Sequence, residues 1–172
     1  MAFDRTDAKR IIEALQLEPL PVEGGLFRQT WRSDSGDAVV GTATYAAFTD
    51  DPDCFSAMHK LTIDEVWHFY LGDPIELLIL RATGEIERPT MGPSVLDGQR
   101  PQLIVKAGDW MGGRLAPGGV FALFGNTMAP GFHSACYTGG EAEALAADWP
   151  AAADDIRALT RPGAELHMPD GL

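Results

Sequence analysis

Cysteine is scarce in this chain. Cys54 and Cys136 are its only two, they stand far apart, and neither belongs to a CxxC or zinc-type spacing. Both read as free thiols of a reducing compartment. Cys54, close before His59, is the sharper candidate for a nucleophile, although cysteine more often serves as a small buried hydrophobe. Basic residues are short as well: 13 Lys and Arg against 25 Asp and Glu leave a formal net charge of −12. Nucleic-acid binding needs a basic surface to displace counterions, and anionic membranes need one too, so neither partner is expected. A phosphorylated ligand would require Arg28, Arg32, Lys60 or Arg114 to gather locally. Long apolar runs are missing, since nothing approaches the ~20 residues of a membrane span. The opening MAFDRTDAKR lacks the basic-then-apolar order of a signal peptide. A cytoplasmic protein is the expectation.

What is present fits one domain over residues 1–172, long enough to bury roughly two thirds of the unfolded chain's surface. Residues 6–17 predict a short helix, with Thr6 as N-cap, Asp7 in the first turn and Ile11, Ile12 and Leu15 as its apolar stripe. Pro19 and Pro21 stop it. From about residue 20 to 138, short β-branched and aromatic segments recur between glycines and prolines, without the helical segments of a βαβ pattern. That texture predicts a mainly β sandwich or barrel of jelly-roll type. Residues 141–160 are alanine-rich and broken by Pro150, which predicts two short helices packed on the barrel. The tail from Ala164 is expected to be loose.

Residues 59–72, HKLTIDEVWHFYLG, carry the densest chemistry. Two strands joined by a short turn through Thr62 to Asp64 are expected to bring His59 and Glu65 onto one inner wall. Strand alternation then sets Trp67 and Phe69 on the Glu65 face and Val66, His68 and Tyr70 on the other. An aromatic wall beside a carboxylate suits a sugar ring or another flat ligand. Core packing is the competing account of both aromatics, and for Phe69 the preferred one. In the strand LFRQTWRS, Arg28 and Thr30 either face solvent or lie at a pocket or dimer interface.

The spacing His59, Glu65, Gly72 resembles the first motif of the cupin superfamily, with Leu61 where the second histidine usually stands. The stretch KAGDWMGGRL is similar to the second cupin motif at Ala107, Gly108 and Asp109, with Met111 in place of its histidine. Adding PVEGGLFRQTWRS, MHKLTIDEVWHFYLGDP and TMAPGF, the chain resembles the cupin type 5 branch, whose members carry no agreed activity. The resemblance implies a double-stranded β-helix (jelly-roll barrel) with an N-terminal helix and C-terminal helices, commonly a homodimer, with a pocket for a small molecule.

Two of four usual metal ligands remain, His59 and Glu65, so no cofactor is expected; a divalent metal, if bound, would use those two. By fold-level analogy to sugar-nucleotide epimerases, the resemblance implies a metal-independent isomerase or epimerase of a small carbohydrate-like or sugar-nucleotide substrate. His59 would be its general base, Glu65 would assist, and Trp67, Phe69, Arg28, Thr30 and Met111 would bind substrate. A hydrogen-bonded core histidine is the other reading of His59. Two further functions stand beside the isomerase: a small-molecule-binding cupin without turnover, and a metal-dependent dioxygenase or hydrolase with a reduced ligand set.

Overall fold

The structure is a computed structural model that describes residues 3–170, so four residues of the expected 1–172 domain, 1–2 and 171–172, lie outside the described residues. Helix α1 (Arg5–Leu15) leads into strands β1 (Glu18–Pro19), β2 (Leu26–Ser35) and β3 (Ala38–Thr49). Next come β4 (Ser56–Leu61), β5 (Glu65–Gly72), β6 (Ile75–Leu80), β7 (Ile86–Glu87) and β8 (Thr90–Met91). The chain continues through β9 (Gln102–Val105), β10 (Trp110–Leu115), β11 (Phe121–Met128) and β12 (Tyr137–Gly139), and closes with α2 (Ala142–Asp148) and α3 (Ala153–Ala158).

The strands pair antiparallel into two sheets. Sheet I runs β1-β2-β3-β11-β5-β9, and sheet II runs β12-β4-β10-β6-β7 with β8 also on β6. Two sheets face to face bury one side of each strand, which is why every second residue is apolar. Phe48, Trp67 and Phe124 of sheet I meet Leu61, Leu77, Ile79 and Met111 of sheet II in the central core. The outer faces are covered by the helices. On sheet I, Ala8, Ile11, Ile12 and Leu15 of α1 rest on Ala47, Phe121 and Leu123. On sheet II, Leu145, Ile156 and Leu159 close over Met58, Leu78 and Leu80. Full burial of a side chain such as Ile156 contributes about 2 kcal/mol.

Several expectations shift in detail. Asp4, not Thr6, caps α1, its carboxylate accepting from the Thr6 and Asp7 amides at 2.7 and 2.9 Å. An aspartate fills that place well because its oxygen reaches donors two and three residues on. The barrel expected to end near residue 138 closes there with only the short β12, preceded by a 3-10 turn at Ser134–Cys136. The tail is not loose: Gly139 N–H donates to Leu166 O at 2.7 Å, and Met168 is buried in the central core.

The larger correction concerns the motif itself. His59 lies on β4 in sheet II and Glu65 on β5 in sheet I, so the turn between them crosses from one sheet to the other. The two residues therefore belong to facing walls, not one. Gly72, the last residue of the motif, has φ +103°, and a Cβ there would collide with the Phe121 carbonyl oxygen, so both backbone shape and space require glycine.

Candidate active site

A cavity of about 660 Å³ opens between the sheets. Its walls come from Thr44, Ala46 and Phe48 on β3, Phe124, Asn126 and Met128 on β11, Glu65 on β5, Leu61 on β4, the loop around Glu23 to Gly25, and Met168 from the tail. Even-numbered residues of β3 and β11 point inward, as a two-residue period demands. The volume falls within the range of small-molecule sites.

Glu65 is the most perturbed group of the wall. It is 9% exposed, and Trp67 Nε1 donates to its Oε2 at 2.7 Å. Burial, seconded by the charge of Glu23, pushes its carboxyl up to about 8, against the smaller opposing pull of the Trp67 and Asn126 hydrogen-bond donors. At neutral pH it is mostly protonated, a donor as well as an acceptor.

Glu23 supplies the second carboxylate, and sequence reasoning passed over it. Ser56 Oγ donates to Glu23 Oε1 at 2.7 Å, and His59 Nε2 lies 3.8 Å from Oε2. His59 is 1% exposed and sits behind Glu23, off the cavity wall. Its Nδ1 is 2.8 Å from Ala57 O. A carbonyl only accepts, so Nδ1 carries that proton and Nε2 is left turned to the carboxylate. The His59 ring stacks on Tyr137 at 5.0 Å, so the tyrosine nearest this histidine is Tyr137, from β12. Burial raises the Tyr137 hydroxyl well above the ordinary phenol range, with the Glu23 charge adding to it.

Arg161 holds the Glu23 loop in place. Its guanidinium donates to Glu23 O and, at 2.8 Å each, to Asp53 O and Phe55 O, and it lies 3.8 Å over the Phe55 ring. Gly24, with φ +93°, passes so close that a Cβ would collide with the guanidinium. The signal in the sequence was the pair Gly24-Gly25 after Glu23, which marks close backbone approach; nothing in the spacing says what approaches.

Of the other expected site residues, Arg28 reaches the cavity lining, but its Nη1 donates to Leu15 O at 3.1 Å and so caps the last turn of α1. Thr30 is on an exposed stretch of β2, off the cavity, its Oγ1 donating to Ala43 O at 3.1 Å. Trp67 is 1% exposed and stacks on Phe124 at 4.9 Å, behind the wall. Phe69 borders the central core without lining the cavity. Met111 is buried beside His59, its register partner on the neighbouring strand. Trp67 fills the space between the sheets, and the aromatic lining of the cavity is made by Phe27, Phe48, Phe124 and Phe132 instead. His68 faces outward as strand alternation requires, with Nε2 2.9 Å from Thr127 Oγ1.

The positions that would surround a cupin metal hold His59, Leu61, Glu65 and Met111. Leu61 has no donor atom, the Met111 thioether is a soft ligand, and His59 Nε2 faces Glu23. Among the described residues no cluster of three or more His, Cys, Asp or Glu has the geometry to hold a metal ion. This donor set does not fit a transition-metal centre, and no chemical step is derived through one.

Two antiparallel sheets closed around an inner pocket, with the motif's Glu65 at its wall and His59 behind it, define a double-stranded β-helix protein of the cupin type. The chain belongs to the cupin superfamily, in the branch described as Cupin superfamily (DUF985), whose family model matches residues 9–138. Protein SO0799 from Shewanella oneidensis is similar at 30% identity and a TM-score of 0.81, over 90% of this chain and 98% of that one. A hypothetical protein from Leishmania major is similar at 24% identity and a TM-score of 0.77, over 89% and 98%. Oxalate decarboxylase from Bacillus subtilis shares the fold at 14% identity and a TM-score of 0.53, over 90% of this chain and 40% of its own. No curated protein matches the chain. No helix among the described residues is long and apolar enough to cross a membrane.

Proposed function

We propose that this cupin is a metal-independent isomerase or epimerase of a small carbohydrate-like molecule, with the base role carried by Glu23 backed by His59 and the acid role by Glu65. One observation carries the reading: two carboxyl groups share one cavity, and their surroundings hold Glu65 protonated near neutrality while Glu23 is presented with a hydroxyl and an imidazole behind it. Pairs of acids set apart in this way divide acid and base duties. The step balances without a cofactor. Glu23 takes the proton from the carbon beside a sugar carbonyl, and Glu65 gives its proton to the carbonyl oxygen, leaving a neutral enediol. Delivery of that proton by Glu23 to the former carbonyl carbon, with Glu65 taking the proton of the neighbouring hydroxyl, completes an isomerisation; protonation of the original carbon from solvent on its opposite face, with Glu65 taking back the proton it gave and Glu23 releasing its own to solvent, inverts the centre. His59 acts on Glu23, not on substrate, by offering Nε2 to the proton that Glu23 gains.

The test is hydrogen exchange: free aldoses and ketoses are incubated with the protein in D2O and followed by proton NMR. Enzyme-dependent loss of the signal on the carbon beside the carbonyl is expected, and Glu23→Gln should abolish it. Binding with no exchange at any pH would refute catalysis and favour the second reading, a binding cupin without turnover. That second reading draws on the enclosure of His59, which is locked between Ala57 O and Tyr137.

A further inference from the structure

The charge of the cavity wall carries information about the ligand that its volume does not. Its lining contains three acids, Glu18, Glu23 and Glu65, and a single cation, Arg28. Arg28 is committed to the last carbonyl of α1. That helix ends at the cavity, since Gln16 is part of the lining, and the C-terminal end of a helix carries partial negative charge. The other cations that a phosphate would need are engaged elsewhere. Arg161 is tied to three backbone carbonyls, Arg32 pairs with Asp34, Lys60 lies over Trp110, and Arg114 is 3.7 Å from Glu76. Recognition of a phosphoryl group relies on convergent Arg or Lys, or on a helix N-terminus, and this cavity offers neither. It offers side-chain amides that suit hydroxyl groups: Gln16, Gln29 and Asn126.

We infer that the carbohydrate taken by this cavity is an uncharged, phosphate-free sugar, and that its wall rejects phosphorylated and nucleotide-linked sugars. The inference rests on the isomerase reading above for the class of ligand, and adds the charge it must have. At neutral pH the partly buried charge is that of Glu23, 17% exposed, whose repulsion of a phosphate is screened less than at an open surface and so survives physiological salt; Glu65 is mostly protonated, and Glu18 is exposed and adds a weaker repulsion. The selection also bears on the place of the reaction in a sequence: the step that supplies the substrate must release a free sugar, as glycoside or phosphate-ester hydrolysis does.

The experiment compares matched pairs by thermal shift and titration calorimetry: glucose, mannose, galactose and fructose, each against its 6-phosphate, with UDP-glucose as a nucleotide-linked probe. At least one free sugar should bind at millimolar concentration, and its phosphate should bind at least about tenfold more weakly. Glu18→Gln should narrow that ratio by weakening the repulsion. A sugar phosphate or UDP-glucose binding as tightly as the free sugar overturns the charge selection while leaving the isomerase reading in place. Free-sugar binding without exchange in D2O overturns the isomerase and leaves the selection standing. Failure of every sugar, charged or not, to bind overturns both.

Discussion

Replacing Glu65 with glutamine should stabilise the protein, and the gain should grow with pH. The unfolded carboxyl ionises at its ordinary value of 4.5, whereas burial and the neighbouring Glu23 charge hold the folded one at about 8. Between those values the unfolded state releases its proton and the folded state does not, so the native state loses ground as pH rises. Each pH unit costs up to about 1.4 kcal/mol, which makes the penalty negligible below pH 4.5 and on the order of 4 kcal/mol at pH 7.5. Above about 8 both states ionise and the loss levels off. Glutamine does not titrate, and its carbonyl can still accept from Trp67 Nε1. At roughly 2 to 4 °C per kcal/mol for a domain of this size, Glu65→Gln should melt about 10 °C higher than the native protein at pH 7.5 and nearly level with it at pH 5. Thermal denaturation of both proteins across pH 5 to 9 reads this directly. Parallel profiles would mean that Glu65 ionises normally, and the division of acid and base roles would go with it. A native protein that gains on the variant as pH rises would mean that Glu65 is ionised and paired.

Three more outcomes follow from the same geometry. His59→Ala should lower exchange of substrate hydrogen by about 10²-fold or more while changing ligand affinity little, because His59 touches Glu23 and not the cavity; kcat and KM measured together separate the two effects. Arg161→Met leaves the Glu23, Asp53 and Phe55 carbonyls without their shared donor, and should cost about 2 kcal/mol in urea denaturation along with a weaker turnover. Met168→Ala should cost about 2 kcal/mol or more, lowering the melting temperature by several degrees, and speed amide exchange at Gly139, whose N–H is bonded to Leu166 O, more than at core strands; unchanged exchange there would show that Met168 does not anchor the tail.

The barrel was legible because period-two alternation and turn chemistry are local, and the strands from β2 to β11 carry both. Gly72 was legible only as the glycine of its motif; its positive φ and its close approach to Phe121 came from the structure. Glu65 was legible as an inward acid through its motif, as was the outward turn of His68. The pairing of His59 with Glu65 on one wall was not, because alternation fixes which face a residue takes within a strand but not which sheet the next strand joins. Glu23 escaped for a deeper reason. It reaches the site from a loop far upstream in the chain, held there by Arg161 from beyond α3, and contacts of that range leave no period in the sequence. Trp67, on the Glu65 face, went to the core and not to the cavity, because a shared face does not say how deep along the strand the cavity extends; Phe69 borders the core, the account preferred for it from the sequence.

His59 reaches Glu23 from sheet II, and Glu65 stands on sheet I. The gap between the proposed base and acid therefore depends on the filling between the sheets, Phe48 and Phe124 of sheet I packed with Leu61 and Leu77 of sheet II. On the proposed mechanism, the hydrophobic core acts as a ruler for the chemistry. A methylene added or removed there would move proton donor and acceptor relative to each other without altering either one, so reach and substrate size can drift through residues that never meet a ligand.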